Sequence, residues 1–191
     1  MSNSNVETVD SITYGQMNLI NTLRKFWFEL PMWRRDYLVS YAANLGDVEI
    51  LGNKLYNMPT AIGDVLEAFL GNTIARKIEN MIREQIVIGA QILFEEKEGN
   101  TEAINENTVR LYRNVDQMAA YLAQINPYWD EQTWKNLLYD YYRTTLLEMV
   151  AVLAKKYQES VILYESMEDQ ALNIADYMVE GIIPYFTGKD A

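Results

Sequence analysis

The chain is 191 residues long and 49% apolar, carries a formal net charge of -11, and contains neither cysteine nor histidine. That length and apolar content allow one domain with a real core and exclude general disorder. The charge argues against nucleic acid and anionic membranes as partners. The two missing residue types exclude disulfides, thiolate and imidazole metal sites, cysteine nucleophiles and serine–histidine triads.

The first twenty residues lack a basic start followed by an apolar run, so no signal peptide is expected. No apolar run reaches the roughly 18 residues needed to span a bilayer. The expected location is the cytoplasm.

Residues 1–10, polar and acidic, read as a tail. A first helix is predicted from about Ser11–Thr13 to Leu45, with Pro31 inside it as a kink point. Gly46-Asp47 reads as a stop followed by a cap. A second helix should cover Val48 to Leu70, broken or restarted at Met58-Pro59, and Gly71-Asn72 repeats the stop-and-cap signal. The third helix, Thr73 to Glu98, has no charge between Ile86 and Phe94, the pattern of a fully buried helix. Gly99-Asn100-Thr101 closes it, and a fourth helix runs to about Gln124, ended by Asn126-Pro127.

Asp130 to Glu180 holds no proline and no glycine. As one helix it would span roughly 75 Å at about 1.5 Å per residue, against a radius of gyration of about 16 Å for a chain of this size. It therefore folds back as a hairpin, with Asp130 as the cap and the corner at Lys155 to Gln158; the last helix stops near Gly181 to Pro184 and residues 187–191 form a tail. No alternating pattern marks a strand. The predicted fold is all-α: one antiparallel bundle of about six helices over residues 11–186.

Three hairpins resemble one another at a spacing of about 52 to 56 residues. Leu55-Tyr56, Leu111-Tyr112 and Leu163-Tyr164 match in the second helices, and Phe26–Tyr37, Met81–Ile92 and Leu137–Glu148 match in the first. The reading is three central helices, each covered by an outer partner.

Glu148 is the only charge between Thr144 and Ala154, and Glu168 lies on the stripe Val161, Tyr164, Ala171, Ala175, so both should point inward. Glu29, Glu84 and Asp140 occupy comparable places in the three central helices. Converging carboxylates would hold a divalent metal such as magnesium, manganese or calcium; the bland alternative pairs them with Arg34, Arg35, Arg83 and Arg143. The tryptophans and fourteen tyrosines fill a core or line a pocket. Tyr139, Tyr141 and Tyr142 cannot all face inward on one helix. No glycine-rich phosphate loop occurs, so a nucleotide-dependent kinase is not expected.

Glu84 to Gly89 (EQIVIG), Ile125 to Tyr128 (INPY), Leu138 to Asp140 (LYD), Ala171 to Ile182 (ALNIADYMVEGI) and the Trp27-x5-Trp33 spacing resemble a family of uncharacterised helical proteins from spore-forming Firmicutes. The likeness covers roughly residues 20–186. Members often carry the label "acetylglutamate kinase". The resemblance implies a helical bundle and no activity. It also implies that relatives carry a histidine in each central helix, a hemerythrin-like feature, at the positions held here by Leu30, Gln85 and Tyr141. The expectation is a non-catalytic module that self-associates as a homo-oligomer or binds a partner protein or a small ligand. The ligand would sit in a core cavity involving Trp27, Leu30, Trp33, Gln85, Tyr141, Glu148 and Glu168, with no cofactor. The alternative is a metal-binding protein or metalloenzyme using Glu29, Glu84, Asp140, Glu148 and Glu168.

Overall fold

The structure, a computed structural model, describes residues 12–187. These form seven helices: α1 Tyr14–Ala43, α2 Val48–Asn57, α3 Pro59–Leu70, α4 Asn72–Glu98, α5 Thr101–Ile125, α6 Glu131–Leu153 and α7 Tyr157–Thr187. No strand occurs among the described residues. The tail expected over residues 1–10, and all of the second tail except Thr187, lie outside them.

Local chemistry explains most boundaries. Thr13 and Gln16 form a reciprocal capping box at the start of α1, and Asp130 accepts the Thr133 amide at the start of α6. Proline at the first position of α3 lacks the amide that α2 would need to continue, so the expected break falls at Met58-Pro59. Gly99 ends α4 in the left-handed region at φ 73°, and Asn100 caps α5 through the Ala103 amide. The hairpin corner lies at residues 154–156, with Lys155 itself left-handed at φ 59°.

Three boundaries differ from expectation. α1 is closed by Asn44, left-handed at φ 56°, instead of by Gly46, and Asp47 makes no side-chain cap bond to α2. Asn72 does not cap α4; it is the first helical residue, and Gly71 at φ 82° makes the turn. The last helix does not stop at Gly181 to Pro184 but continues to Thr187. Gly181 is there for space: a Cβ on it would overlap the Trp129 indole, and its carbonyl accepts from Asn126 Nδ2 at 2.9 Å.

Contact order shows how the helices lie. Trp134 early in α6 meets Tyr177 late in α7 at 5.0 Å between ring centroids, while Thr145 further along α6 meets Met167. Lys77 near the start of α4 covers Tyr121 near the end of α5, and Arg110 near the start of α5 reaches Gln91. Neighbours in sequence thus run in opposite senses here, whereas α1 and α6 run the same way, Trp27 meeting Tyr141 and Arg35 meeting Glu148.

The core takes Leu23, Trp27 and Leu30 from α1, Ile62 and Leu66 from α3, Ile78 and Ile82 from α4, and Trp134, Leu138 and Tyr141 from α6, all essentially inaccessible. From α7 it takes Met167, Ala171, Ile174 and Met178. Burial on this scale, at about 25 cal/mol per Å² of apolar surface, drives the collapse. The uncharged stretch Ile86 to Phe94 is not fully buried as expected. Val87 is 37% and Phe94 50% exposed, because this side of α4 faces a cavity instead of a neighbouring helix.

Candidate functional site

The cavity has a volume of about 570 Å³, inside the range of small-ligand sites. Its walls come from α1 (Tyr37, Leu38), α2 (Leu55, Tyr56), α4 (Ile86, Val87, Leu93, Phe94), α5 (Leu111) and α6 (Leu146, Met149). The lining has a buried polar cluster, Arg34, Gln85, Tyr142, Thr145 and Glu148, and further polar side chains from Asn53, Gln91, Glu95 and Asn107.

These polar groups are ordered by hydrogen bonds. Tyr142 donates its hydroxyl to Gln85 Oε1 at 2.5 Å. Gln85 Nε2 donates to Asn114 Oδ1 at 2.8 Å, and Asn114 Nδ2 donates to Glu84 at 2.7 Å. The chain links the cavity to the exposed surface and leaves the buried amides satisfied. Arg34 Nη1 donates to the Tyr141 hydroxyl and to Thr145 Oγ1, each at 3.1 Å. Its guanidinium also lies 5.2 Å from the Tyr141 ring centroid and 5.4 Å from that of Tyr142.

Glu148 is fully buried, and its Oε1 is bridged to Arg35. Arg35 also donates to the Ser160 carbonyl at 3.3 Å and lies over the Tyr164 ring. Glu148 Oε2 has no hydrogen-bond partner among the described residues. Burial pushes the Glu148 carboxyl above the usual glutamate value, and Arg35, with a smaller contribution from Arg34, offsets only part of that. Burial likewise raises the Tyr141 and Tyr142 hydroxyls, which stay neutral donors and acceptors at neutral pH.

Of the residues expected to form a core cavity, Gln85 and Glu148 line it. Tyr141 stands behind Arg34. Trp27 does not line it: its ring is packed edge-on against Tyr141 at 6.2 Å. Leu30 is plain core, and Trp33 is half-buried beneath the Lys54 ammonium at 5.1 Å. Glu168 lies on α7 away from the cavity, half-buried beside Tyr164. Gln85 and Tyr141 both flank Tyr142, whose ring meets Tyr141 at 5.2 Å.

The carboxylates do not converge. Glu29 pairs with Lys25 at 3.8 Å, Glu84 is exposed and accepts from Asn114, and Asp140 is exposed against Arg143 at 2.9 Å. No three metal-ligating side chains gather among the described residues, because helical phase turns all but Glu148 off the inner face. The arginine pairing expected for Glu148 and Asp140 is present; Arg83 pairs with Glu79 instead of Glu84. Tyr139 is the exposed member of its trio, donating to Asp116 at 2.8 Å.

Three features escaped the sequence reading. The sequence pattern marks Arg34 only as a salt-bridge partner, yet it lines the cavity. Gly89 lines the same cavity in the middle of α4; its lack of charged neighbours was the available signal. Glu79 is buried and receives Arg76, Arg83 and Thr60, the last at 3.1 Å. Burial opposes its ionisation, but the bonds from Arg83, Arg76 and Thr60 prevail and hold its carboxyl below the usual value.

No family model, no curated protein and no solved structure matches this chain.

Proposed function

We propose that the protein is a non-catalytic binding module that holds a small, largely apolar molecule in this cavity. The observation that carries the reading is Gly89. A glycine inside a helix costs about 0.5–1 kcal/mol relative to alanine. Nothing in the packing asks for it: a Cβ built there meets no other atom within 4 Å. Open space beside this turn of α4 fits the residue, and mostly apolar walls with a hydrogen-bonded polar cluster around Arg34 fit a largely apolar ligand with a polar end.

The test is a thermal-shift screen of small apolar and amphiphilic compounds on the wild type and on Gly89→Leu, whose side chain intrudes on the cavity that Gly89 lines. A ligand at about 100 times its Kd adds about 2.7 kcal/mol, hence a rise of roughly 5–10 °C for a domain this size. Hits that stabilise the wild type and leave Gly89→Leu unmoved support the reading. An inert library, or equal shifts in both proteins, ends it.

Self-association is a second reading with its own support. Leu147, Val150, Tyr157, Val161 and Ile162, around the α6–α7 corner, are each at least 45% exposed. Sedimentation over a wide concentration range tests it, and a monomer throughout removes it.

A further inference from the structure

We propose that the occupant is a free carboxylic acid with an apolar tail, its carboxylate held by Arg34. The proposal rests on the ligand-binding reading above and adds the ligand's chemistry. Arg34 is half-buried and lines the cavity, and no carboxylate of the described residues lies within salt-bridge distance of it. Its nearest candidate, Glu148, is bridged through Oε1 to Arg35 and acts on Arg34 only through space, as a smaller contribution. Arg34, Arg35 and Glu148 together therefore leave one positive charge at this end of the cavity. A guanidinium withdrawn from water without a counter-ion is costly, and a carboxylate is the group that its planar fork fits in two parallel bonds.

The guanidinium is also held in place. Nη1 is spent on Tyr141 and Thr145, and the Tyr141 and Tyr142 rings flank the group. The guanidinium also interacts with the Tyr142 hydroxyl, and no carboxylate of the described residues forms an ion pair with it. A donor fixed in advance loses little freedom on binding. The other acid lining the cavity, Glu95, stands ten residues along α4 from Gln85, about 15 Å at the helical rise, and does not neutralise Arg34. The walls between are mostly apolar, as an aliphatic or aromatic tail requires.

The experiment is calorimetric titration at neutral pH and low salt with three probes of one tail length: decanoate, decanol and decylamine. Wild type, Arg34→Met, Arg34→Lys and Gly89→Leu are compared, each first checked for helicity and cooperative melting. Decanoate is expected to bind wild type about tenfold or more tighter than decanol, the worth of a charged hydrogen-bonded pair. Arg34→Met should lose that margin and keep its decanol affinity; Arg34→Lys should keep part of it. Gly89→Leu should bind all three more weakly than wild type. Equal binding of decanoate and decanol, or a preference for decylamine, overturns the carboxylate assignment and leaves the cavity reading standing. Failure of all three to bind wild type overturns both. If Arg34→Met does not fold, the probe preference of wild type and Arg34→Lys still decides.

Discussion

The same mutation at two helical glycines should have opposite signs. At Gly89 an added methyl meets no other atom within 4 Å, so Gly89→Ala gains the helix propensity alone, about 0.5–1 kcal/mol. For a domain this size that raises Tm by about 1–4 °C. At Gly181 the propensity gain is the same, but the methyl would occupy the place of the Trp129 indole. That ring cannot yield cheaply. It donates to the Tyr177 carbonyl at 3.2 Å, packs edge-on to Trp134 at 5.6 Å, and is 3% exposed. Overpacking costs about 1–3 kcal/mol, and displacing the indole adds about 1 kcal/mol for its hydrogen bond. Net destabilisation of Gly181→Ala is then about 1–3 kcal/mol, with the Asn126–Gly181 bond at risk as well. Urea unfolding followed by far-ultraviolet circular dichroism measures both variants on one scale. A destabilised Gly89→Ala would mean that the space beside α4 is not open, and the ligand reading would lose its support. A Gly181→Ala as stable as wild type would show that Trp129 is loosely held.

Three further outcomes follow from the buried charges and the corner. Arg35→Met should cost about 3 kcal/mol, the low end for a broken buried pair because Arg35 is partly exposed, and Arg35→Met with Glu148→Met should recover most of it in the same assay. Glu148 and Glu79 should push the pH profile of Tm in opposite directions. The folded chain holds the Glu148 proton more tightly than the unfolded chain, so its contribution is fully present below the ordinary glutamate value and is lost as pH rises through the higher folded value; Glu148→Gln removes that decline. Glu79 is the reverse case: its contribution is present above the ordinary value and lost as pH falls through the lower folded one, so Glu79→Gln flattens the acid side, and identical profiles for the two variants would refute both assignments. Lys155→Gly should raise Tm by about 2 °C, since glycine takes the left-handed φ of 59° without the strain of a Cβ, a gain of about 0.5–1 kcal/mol; an unchanged or lower melt contradicts it.

The helices were readable because their limits are local. Thr13, Pro59, Gly99, Asn100 and Asp130 act within one turn of themselves, and that chemistry is the same whatever the chain packs against. The hairpin at Lys155 was equally plain, since no compact domain accommodates a fifty-residue rod. Gly181-Ile182-Ile183-Pro184 misled because a glycine can serve a turn or a close contact, and its role depends on Trp129, fifty-two residues earlier.

The cavity was beyond any local rule. Periodicity says that a residue belongs to an apolar face; it does not say whether a helix or a gap lies opposite. Ile86 to Phe94 reads as buried in either case, and docking left one side of it open. Among the charges, phase along each helix turned Glu84 and Asp140 outward and left Glu148 inside. Whether Arg34 or Arg35 reached Glu148 was settled only when α1 was laid beside α6 and α7. Composition and spacing thus reach the all-helical fold and the residues that bound it. The guanidinium without a carboxylate partner and the space before it exist only where five helices meet, since an ion pair or a void depends on groups brought together from distant parts of the chain.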